Sequence, residues 1–297
     1  MIGFGDRLTE AVRAVGAPIG LGLDPHLSRL PRQLQARLEG KTGSAWRSAA
    51  AEAVVDFNTA AIAAAAGRVA AVKPQFAFYE QLGAAGWAAL EETCRLSRAA
   101  GLLIIADAKR GDISSTAAAY ARAILDPTGP IAADSVTLNP WMGIDVLAPF
   151  LAYAPDGCGV FALVRTTNPG SALLQCHHDA ATHLAEALER LGAEHPGESG
   201  FSPVGAVVGA QRADEAAALR KAMPSAWFLV PGVGAQGGGA AEALAGARED
   251  GLGSLVVSSR SLLFPSAQSA QFEEDPGAFI AAQIDALSAR LRSVRQV

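Results

Sequence analysis

The segment IIADAKRGDI, residues 104–113, places several charges directly after an apolar run. The apolar residues predict a buried strand. Asp107, Lys109 and Asp112 then follow within six positions. Alternation of side chains along a strand sends Asp107 and Lys109 to the same side. A carboxylate and an ammonium held there could stabilise a charge that develops during a reaction.

Chemically active side chains also follow other apolar runs of the chain. They are Asp24 after LGL, Lys73 after AV, Asn139 after TL, Thr167 after LVRT and Arg260 after VSS. One charged residue at a strand end is usually the start of a solvated loop. Two lysines and two aspartates that converge on one volume are much harder to explain in that way.

The apolar runs that carry these residues recur along the whole chain. Eight of them, at residues 19–23, 69–72, 102–106, 135–138, 160–164, 204–208, 227–230 and 255–257, predict strands. Alanine- and leucine-rich segments with helical spacing, such as 84–99 and 214–222, lie between them. Strands that alternate with helices pair in parallel. Eight such units in about 250 residues predict a (β/α)₈ TIM barrel of the α/β class, whose active site lies at the carboxyl ends of the strands. An open doubly wound sheet is the alternative.

Two connections are longer than a single helix requires. Residues 25–68 and 165–203 are therefore expected to carry extra helices or lids. No linker or low-complexity segment divides the chain, so we expect residues 1–297 to form a single domain. The last segment, 276–297, has the pattern of an amphipathic helix that closes the barrel.

Composition narrows the class of protein. A formal net charge of −5 disfavours a nucleic-acid partner. Cys94, Cys158 and Cys176 show no metal-binding or redox spacing, so we expect buried free thiols in a reducing compartment. The N-terminal residues lack the pattern of a signal peptide, and the alanine-rich stretch 59–66 is too short to cross a membrane. The sequence thus predicts a soluble cytoplasmic protein without a membrane partner.

The glycine-rich segment PGVGAQGGG after the seventh run formally matches a dinucleotide fingerprint at Gly232, Gly234 and Gly237. That fingerprint needs an acidic residue at the end of the next strand, and this strand is followed by Ser259 and Arg260 instead. Backbone amides and one guanidinium suit a phosphomonoester better. A merely flexible turn is the alternative.

Two histidine-containing segments have no clear assignment from the sequence. The segment HHDAATH, with His177, His178 and His183, lacks the carboxylate or cysteine that would complete a zinc site, so solvated histidines at a helix start are the favoured interpretation. His26, which follows Asp24 and a proline, could face the mouth of the barrel.

Taken in this order, the motifs resemble those of the orotidine 5′-phosphate decarboxylase superfamily. Asp107, Lys109 and Asp112 match its D-x-K-x-x-D motif, while Lys73, the PGVGAQGG segment and Arg260 match its other characteristic parts. DAKRGDI, RTTNPG and the chain length resemble its longer bacterial subgroup.

The resemblance implies a substrate, orotidine 5′-monophosphate, which loses CO₂ to give UMP without a metal or organic cofactor. It implies that Asp24 and Lys73 hold the ribose, that Asp107 faces the carboxylate at C6, and that Lys109 donates the replacing proton. The remaining roles it implies are Thr167 at the pyrimidine, Asn139 elsewhere on the substrate, the backbone around Gly232 and Gly234 with Gln236 and Arg260 at the phosphate, and Asp112 and Thr116 in the site of the partner in a homodimer.

Elementary chemistry agrees with these implied roles. Loss of CO₂ from C6 leaves a negative charge in the plane of the ring, where no π-system delocalises it. A fixed cation must therefore stabilise it. Lys109, kept protonated by Asp107 and Asp112, could do so. Two alternatives stay open: a metal-dependent sugar-phosphate decarboxylase or synthase of the same superfamily, and a non-catalytic nucleotide-binding barrel.

Overall fold

The computed structural model describes residues 2–210, 212–232 and 239–295. Eight parallel strands form a closed barrel in which neighbours in sequence are neighbours in space, and the first strand pairs with the last. The strands are β1 Ile19–Leu23, β2 Ala71–Pro74, β3 Leu103–Arg110, β4 Ser135–Leu138, β5 Gly159–Arg165, β6 Val204–Val208, β7 Phe228–Pro231 and β8 Ser254–Ser258. The predicted TIM barrel is confirmed, and the alternative prediction of an open doubly wound sheet is wrong.

Helices surround this barrel and occupy the connections between strands. They are α1 Phe4–Val15, α2 Arg32–Ala36, α3 Gly43–Ala65, α4 Ala77–Glu80, α5 Ala84–Ala99, α6 Ser114–Leu125, α7 Ala148–Leu151, α8 Ala172–Gln175, α9 Ala180–Gly192, α10 Ala213–Ala222, α11 Ala240–Leu244, α12 Arg260–Leu263, α13 Ala270–Glu274 and α14 Pro276–Arg295. The two long connections carry extra helices as expected, α2 with α3 in one and α8 with α9 in the other.

The barrel has two apolar cores because each strand buries both of its faces. Outward-facing residues such as Ile104 pack against the helices, whereas Ile105 and Leu255 fill the interior. Helix α1 closes the amino-terminal end of the barrel, where the ring of Phe4 meets Phe161 edge to face at 5.7 Å. The opposite end, where the strands terminate, is therefore the end left available for a ligand.

Strand β3 departs most from its predicted limits, since it continues four residues beyond residue 106 to Arg110. Its pairing with β4 shifts register between Ala106 and Arg110. Lys109 lies inside this irregularity with φ of 47°, an uncommon value for a residue that is not glycine. The apolar pattern predicts a strand that ends at residue 106, before the charged residues. In the structure Asp107, Lys109 and Arg110 lie on the strand itself.

The cysteines and histidines outside the barrel mouth are placed mostly as the sequence predicted. Cys94 and Cys158 are buried free thiols, but Cys176 is exposed at the end of α8, so its predicted burial is wrong. His177, His178 and His183 are exposed at the start of α9. No group of three His, Cys, Asp or Glu residues in the described ranges could hold a metal ion. Among the described helices, none is both long and apolar enough to span a membrane.

Candidate active site

The carboxylate of Asp107 is the centre of the site at the barrel mouth. Its Oδ2 accepts hydrogen bonds from Lys73 Nζ at 2.5 Å and Gln75 Nε2 at 2.9 Å. Its Oδ1 accepts one from Thr137 Oγ1 at 3.0 Å and one from Lys109 Nζ. Strands β2, β3 and β4 and the residue after β2 thus supply four donors to one carboxylate, which leaves its position little freedom.

The opposite charges of this cluster stabilise one another in their ionised forms. Burial alone would raise the pKa of Asp107, but the charges of Lys73 and Lys109 outweigh burial and hold that pKa well below its usual range. Burial alone would lower the pKa of Lys73, but Asp107 and Asp24 outweigh it, so that the pKa lies above its usual value. Asp107 is therefore an anion and Lys73 a cation at neutral pH.

The two lysines differ in their access to the cavity. The side chain of Lys73 is 8 % exposed, whereas that of Lys109 is 45 % exposed. The backbone amide of Lys109 donates to Thr137 Oγ1 at 3.0 Å, and this bond holds the residue in its left-handed conformation. Lys109 is thus anchored at its backbone and at its ammonium, with one side open to a ligand.

Asp24 lies directly after β1 and next to the end of β2. Its Oδ1 is buried, and none of the described residues donates a hydrogen bond to it. Gly22 makes room here, since a Cβ at that position would lie 2.0 Å from Ser259 Oγ. A buried carboxylate oxygen without a donor loses free energy. The charge of Asp24 also contributes to the raised pKa of Lys73.

A cavity of about 760 Å³ opens above the cluster. Its volume is typical of a small-molecule binding site. Lys73, Asp107 and Lys109 line the cavity on one side, and Asn139 and Thr167 line it at the ends of β4 and β5. Apolar side chains complete the wall, namely Leu163, Leu174, Leu184, Val207 and Leu229.

The part of the mouth formed by β7 and β8 is organised differently. Gly232 follows β7 with a positive φ of 106°. This conformation favours glycine, which has no Cβ. Gly234 and Gln236 lie outside the described residues. Arg260 is exposed at the first residue of α12 and lines a second cavity together with Arg29.

His26 lies in the loop after β1, where its ring packs edge to face against Phe78 at 4.5 Å and Phe264 at 6.0 Å. Burial lowers its pKa, the charge of Asp24 opposes that shift, and the charge of Arg260 adds to it. The charges of Asp24 and Arg260 thus act on this imidazole in opposite directions.

Two predicted site residues lie apart from the cluster within this chain. The Asp112 carboxylate accepts a hydrogen bond from the backbone amide of Ile113 at 2.8 Å. Within the described residues it forms no bond with Lys109, so the expectation that Asp112 flanks Lys109 is not met inside one chain. Thr116 is exposed on α6.

Sequence reasoning overlooked Gln75 and Thr137, which both bind the Asp107 carboxylate. Their spacing contained the missing signal. Gln75 lies two residues after Lys73, and Thr137 lies two residues before Asn139, so strand alternation places each on the same side as a residue already singled out.

The structure combines a closed eight-stranded barrel with a Lys–Asp–Lys cluster at the carboxyl ends of its strands. These two features define the class of barrel proteins whose chemistry is located at the mouth. Residues 47–271 match the family "Orotidine 5′-phosphate decarboxylase / HUMPS". The chain belongs to this family.

Individual relatives agree with the family match. The chain is 40 % identical over 273 residues to the orotidine 5′-phosphate decarboxylase of Rhodopirellula baltica, with 89 % of each chain covered. It is 40 % identical over 283 residues to that of Haloarcula marismortui, with 92 % of this chain and 91 % of the relative covered. The solved structure of Leishmania donovani OMP decarboxylase is similar with a TM-score of 0.75, 34 % identity and 100 % of both chains covered.

Proposed function

We propose that this protein is a carboxy-lyase that converts orotidine 5′-monophosphate to UMP and CO₂, the last step of de novo pyrimidine nucleotide synthesis. The observation that carries the proposal is the Lys73–Asp107–Lys109 cluster at the cavity wall. This cluster supplies a fixed anion beside a fixed cation, which is the arrangement that decarboxylation at C6 needs. Membership of the family supports the same reaction.

In the proposed reaction, Asp107 lies opposite the substrate carboxylate, and Lys109 lies beside C6. As the C–C bond breaks, its electron pair stays on C6 and CO₂ leaves. The ammonium of Lys109 stabilises this charge and then transfers a proton to C6. The bonds that hold Asp107 and Lys109 before substrate arrives reduce the reorganisation that this step requires.

The rest of the substrate extends along the strand ends. Asp24 and Lys73 bind the ribose hydroxyls, and their positions at the adjacent ends of β1 and β2 support this role. Thr167 binds the pyrimidine through its hydroxyl, and Asn139 contacts the substrate at the end of β4. Arg260 binds the phosphate together with Gly232, Gly234 and Gln236.

The active form proposed here is a homodimer of single-domain barrels, each built from residues 1–297. Asp112 and Thr116 enter the site of the partner, where Asp112 approaches Lys109. Three large apolar side chains near this edge, Ile113, Trp141 and Met142, are 49 %, 71 % and 53 % exposed. Clustered apolar exposure supports a subunit contact. We place the protein in the cytoplasm, where its three free thiols remain reduced.

The decisive test follows the loss of orotidine 5′-monophosphate absorbance with purified protein in EDTA. We expect full activity, because the cluster supplies all the charge that the reaction requires. The metal-dependent sugar-phosphate enzymes need a carboxylate after β2, where this chain has Lys73. Activity that EDTA abolishes and Mg²⁺ restores would favour that alternative. UMP binding without turnover would instead indicate a non-catalytic barrel.

A further inference from the structure

Arg165 is a fully buried arginine at the last residue of β5, with 1 % of its surface exposed. A guanidinium is rarely buried unless its donors are matched, because desolvation of the charge is costly. Nε of Arg165 donates to Glu215, NH2 donates to Glu215 at 3.3 Å, and NH1 donates to Ser171 Oγ at 2.7 Å and to Gln175 Oε1 at 3.3 Å. Those partners lie in the following loop and on α10.

Gln175 connects Arg165 to the start of the loop that follows β5. We use the word loop for residues 166–175, which include the short helix α8. Its Oε1 accepts from the backbone amide of Thr166 at 2.8 Å, and its Nε2 donates to Thr166 Oγ1 at 2.9 Å. Ser171, the other loop partner of Arg165, donates to the carbonyl of Thr166 at 3.3 Å. Both ends of the loop are therefore joined to one guanidinium.

This loop forms a wall of the candidate active site. Thr166, Thr167, Leu174 and Gln175 all line the cavity above the charge cluster. The fit around Thr167 is close, since a Cβ on Gly209 would lie 2.3 Å from Thr167 Cγ2. The backbone amide of Gly209 also donates to the carbonyl of Arg165 at 2.8 Å. The direction of the Thr167 side chain thus depends on how the loop is held against β6.

We infer that Arg165 is a positioning residue, which acts with Glu215 and Gln175 to hold the loop so that Thr167 faces the substrate ring. This inference rests on the proposed function. Glu215 carries the only charge that balances Arg165 among its described hydrogen-bond partners, and it stands on the first turn of α10 outside the loop. The pair therefore ties the loop to α10, and Arg165 is not among the described residues that line the cavity.

The test is a kinetic double-mutant cycle between the anchor and Thr167. The variants Glu215→Gln and Gln175→Leu change two partners of Arg165 and keep the buried arginine itself. We expect each to lower kcat/KM for orotidine 5′-monophosphate by about tenfold, because a small misplacement of a contact group slows reactions strongly. In a Thr167→Ala background the same changes should cost less than about twofold, because the anchor acts through the Thr167 side chain that this background lacks. Equal losses in both backgrounds would overturn the inference.

Asp214→Asn is the matched control, because it removes a neighbouring exposed carboxylate from α10 that does not contact Arg165. Its kcat/KM should equal that of the wild type, and a tenfold loss here would also contradict the inference.

A second measurement does not depend on turnover. Amide hydrogen exchange within residues 166–175 should accelerate in Glu215→Gln and stay unchanged in Asp214→Asn; unchanged exchange in both variants would refute the anchoring. A wild-type protein that fails to decarboxylate the substrate would instead refute the proposed function, while the exchange experiment still decides whether the anchor holds the loop.

Discussion

The two halves of the barrel mouth differ in how many contacts their functional side chains make within this chain. At the ends of β2, β3 and β4, Asp107 is buried and receives four hydrogen bonds from neighbouring side chains. At the end of β8, Arg260 is exposed and forms no ion pair with any described residue. One half is a closed network of charges, and the other presents the guanidinium of Arg260 to solvent.

This difference matches the work that each half would do. A group that stabilises a developing charge is most effective when it is held in place before the reaction begins. A group that binds a remote phosphate contributes binding energy, and that energy can be used to complete the site when substrate arrives. We therefore expect substitutions in the two halves to affect turnover, stability and binding differently.

The largest expected effect is that of Lys109→Ala. This change removes both the cation beside C6 and the proton donor, and general acid catalysis alone contributes about 10²–10⁴-fold. We expect turnover to vanish in the absorbance assay, while titration calorimetry shows UMP binding of similar affinity. A variant that keeps a tenth of the wild-type kcat would show that the closed network is not the chemical centre.

Asp107→Asn should lower the free energy of unfolding, because Asp107 is the centre of the closed network. It leaves two lysines without their counter-charge, and breaking a buried ion pair typically costs about 3–5 kcal/mol. The pKa of Asp107 is lowered in the folded protein. Its stabilising contribution is therefore fully present above about pH 3.9, the pKa in the unfolded chain. The contribution is lost as the pH falls through the folded pKa.

Urea unfolding of wild type and Asp107→Asn at pH 7, 5 and 3.5 tests this expectation. The difference in the free energy of unfolding should be largest at pH 7 and 5 and smaller at pH 3.5. A difference that is equally large at pH 3.5 would mean that the charge of Asp107 is not its source.

Arg260→Ala tests the open half. We expect kcat/KM to fall by an equivalent of about 2–4 kcal/mol, the range for a lost charge-assisted contact, with the free energy of unfolding almost unchanged. Orotidine, which lacks the phosphate, should be a very poor substrate for the wild type. If saturating orotidine reacted as fast as its phosphate, the assignment of Arg260 would be wrong.

The smallest expected signal tests whether the network is completed by a second subunit. Lys109→Ala and Asp112→Ala homodimers should each be nearly inactive. A mixed dimer has one site with both lesions and one with neither. Random equal exchange makes half of the dimers mixed, so about a quarter of the wild-type activity should return after the two variants are refolded together. If mixed dimers form and activity does not return, Asp112 acts within its own chain.

The fold could be predicted well from the sequence because its signals are local. Three strands, β1, β4 and β6, have their predicted limits, and α5 covers the predicted residues 84–99. Short apolar runs are sufficient here, since strands of a parallel barrel are buried on both faces. The burial of Cys176 was predicted wrongly, because the exposure of one residue beside a four-residue helix leaves no periodic pattern to detect.

The candidate site was predictable where it followed strand ends, and it was incomplete where side chains converge from several strands. Alternation predicts that Asp107 and Lys109 lie on the same side of the strand, and the structure joins them directly. Gln75 and Thr137 were overlooked as partners of Asp107. Arg165 has no local signal in the sequence, because the residue type does not indicate burial and its partner Glu215 is 50 residues away along the chain.

What the sequence determined by itself is the order of elements and the identity of the groups at each strand end, since both depend on neighbours along the chain. Tertiary structure alone decided which groups from different strands meet. Barrel closure brings β2, β3 and β4 around one carboxylate, and the irregular backbone at Lys109 turns its ammonium toward that carboxylate. The opposite charges around Asp107 and Lys73 shift their pKa values against the effect of burial, and the size of this effect depends on distances in space that separation in sequence does not specify.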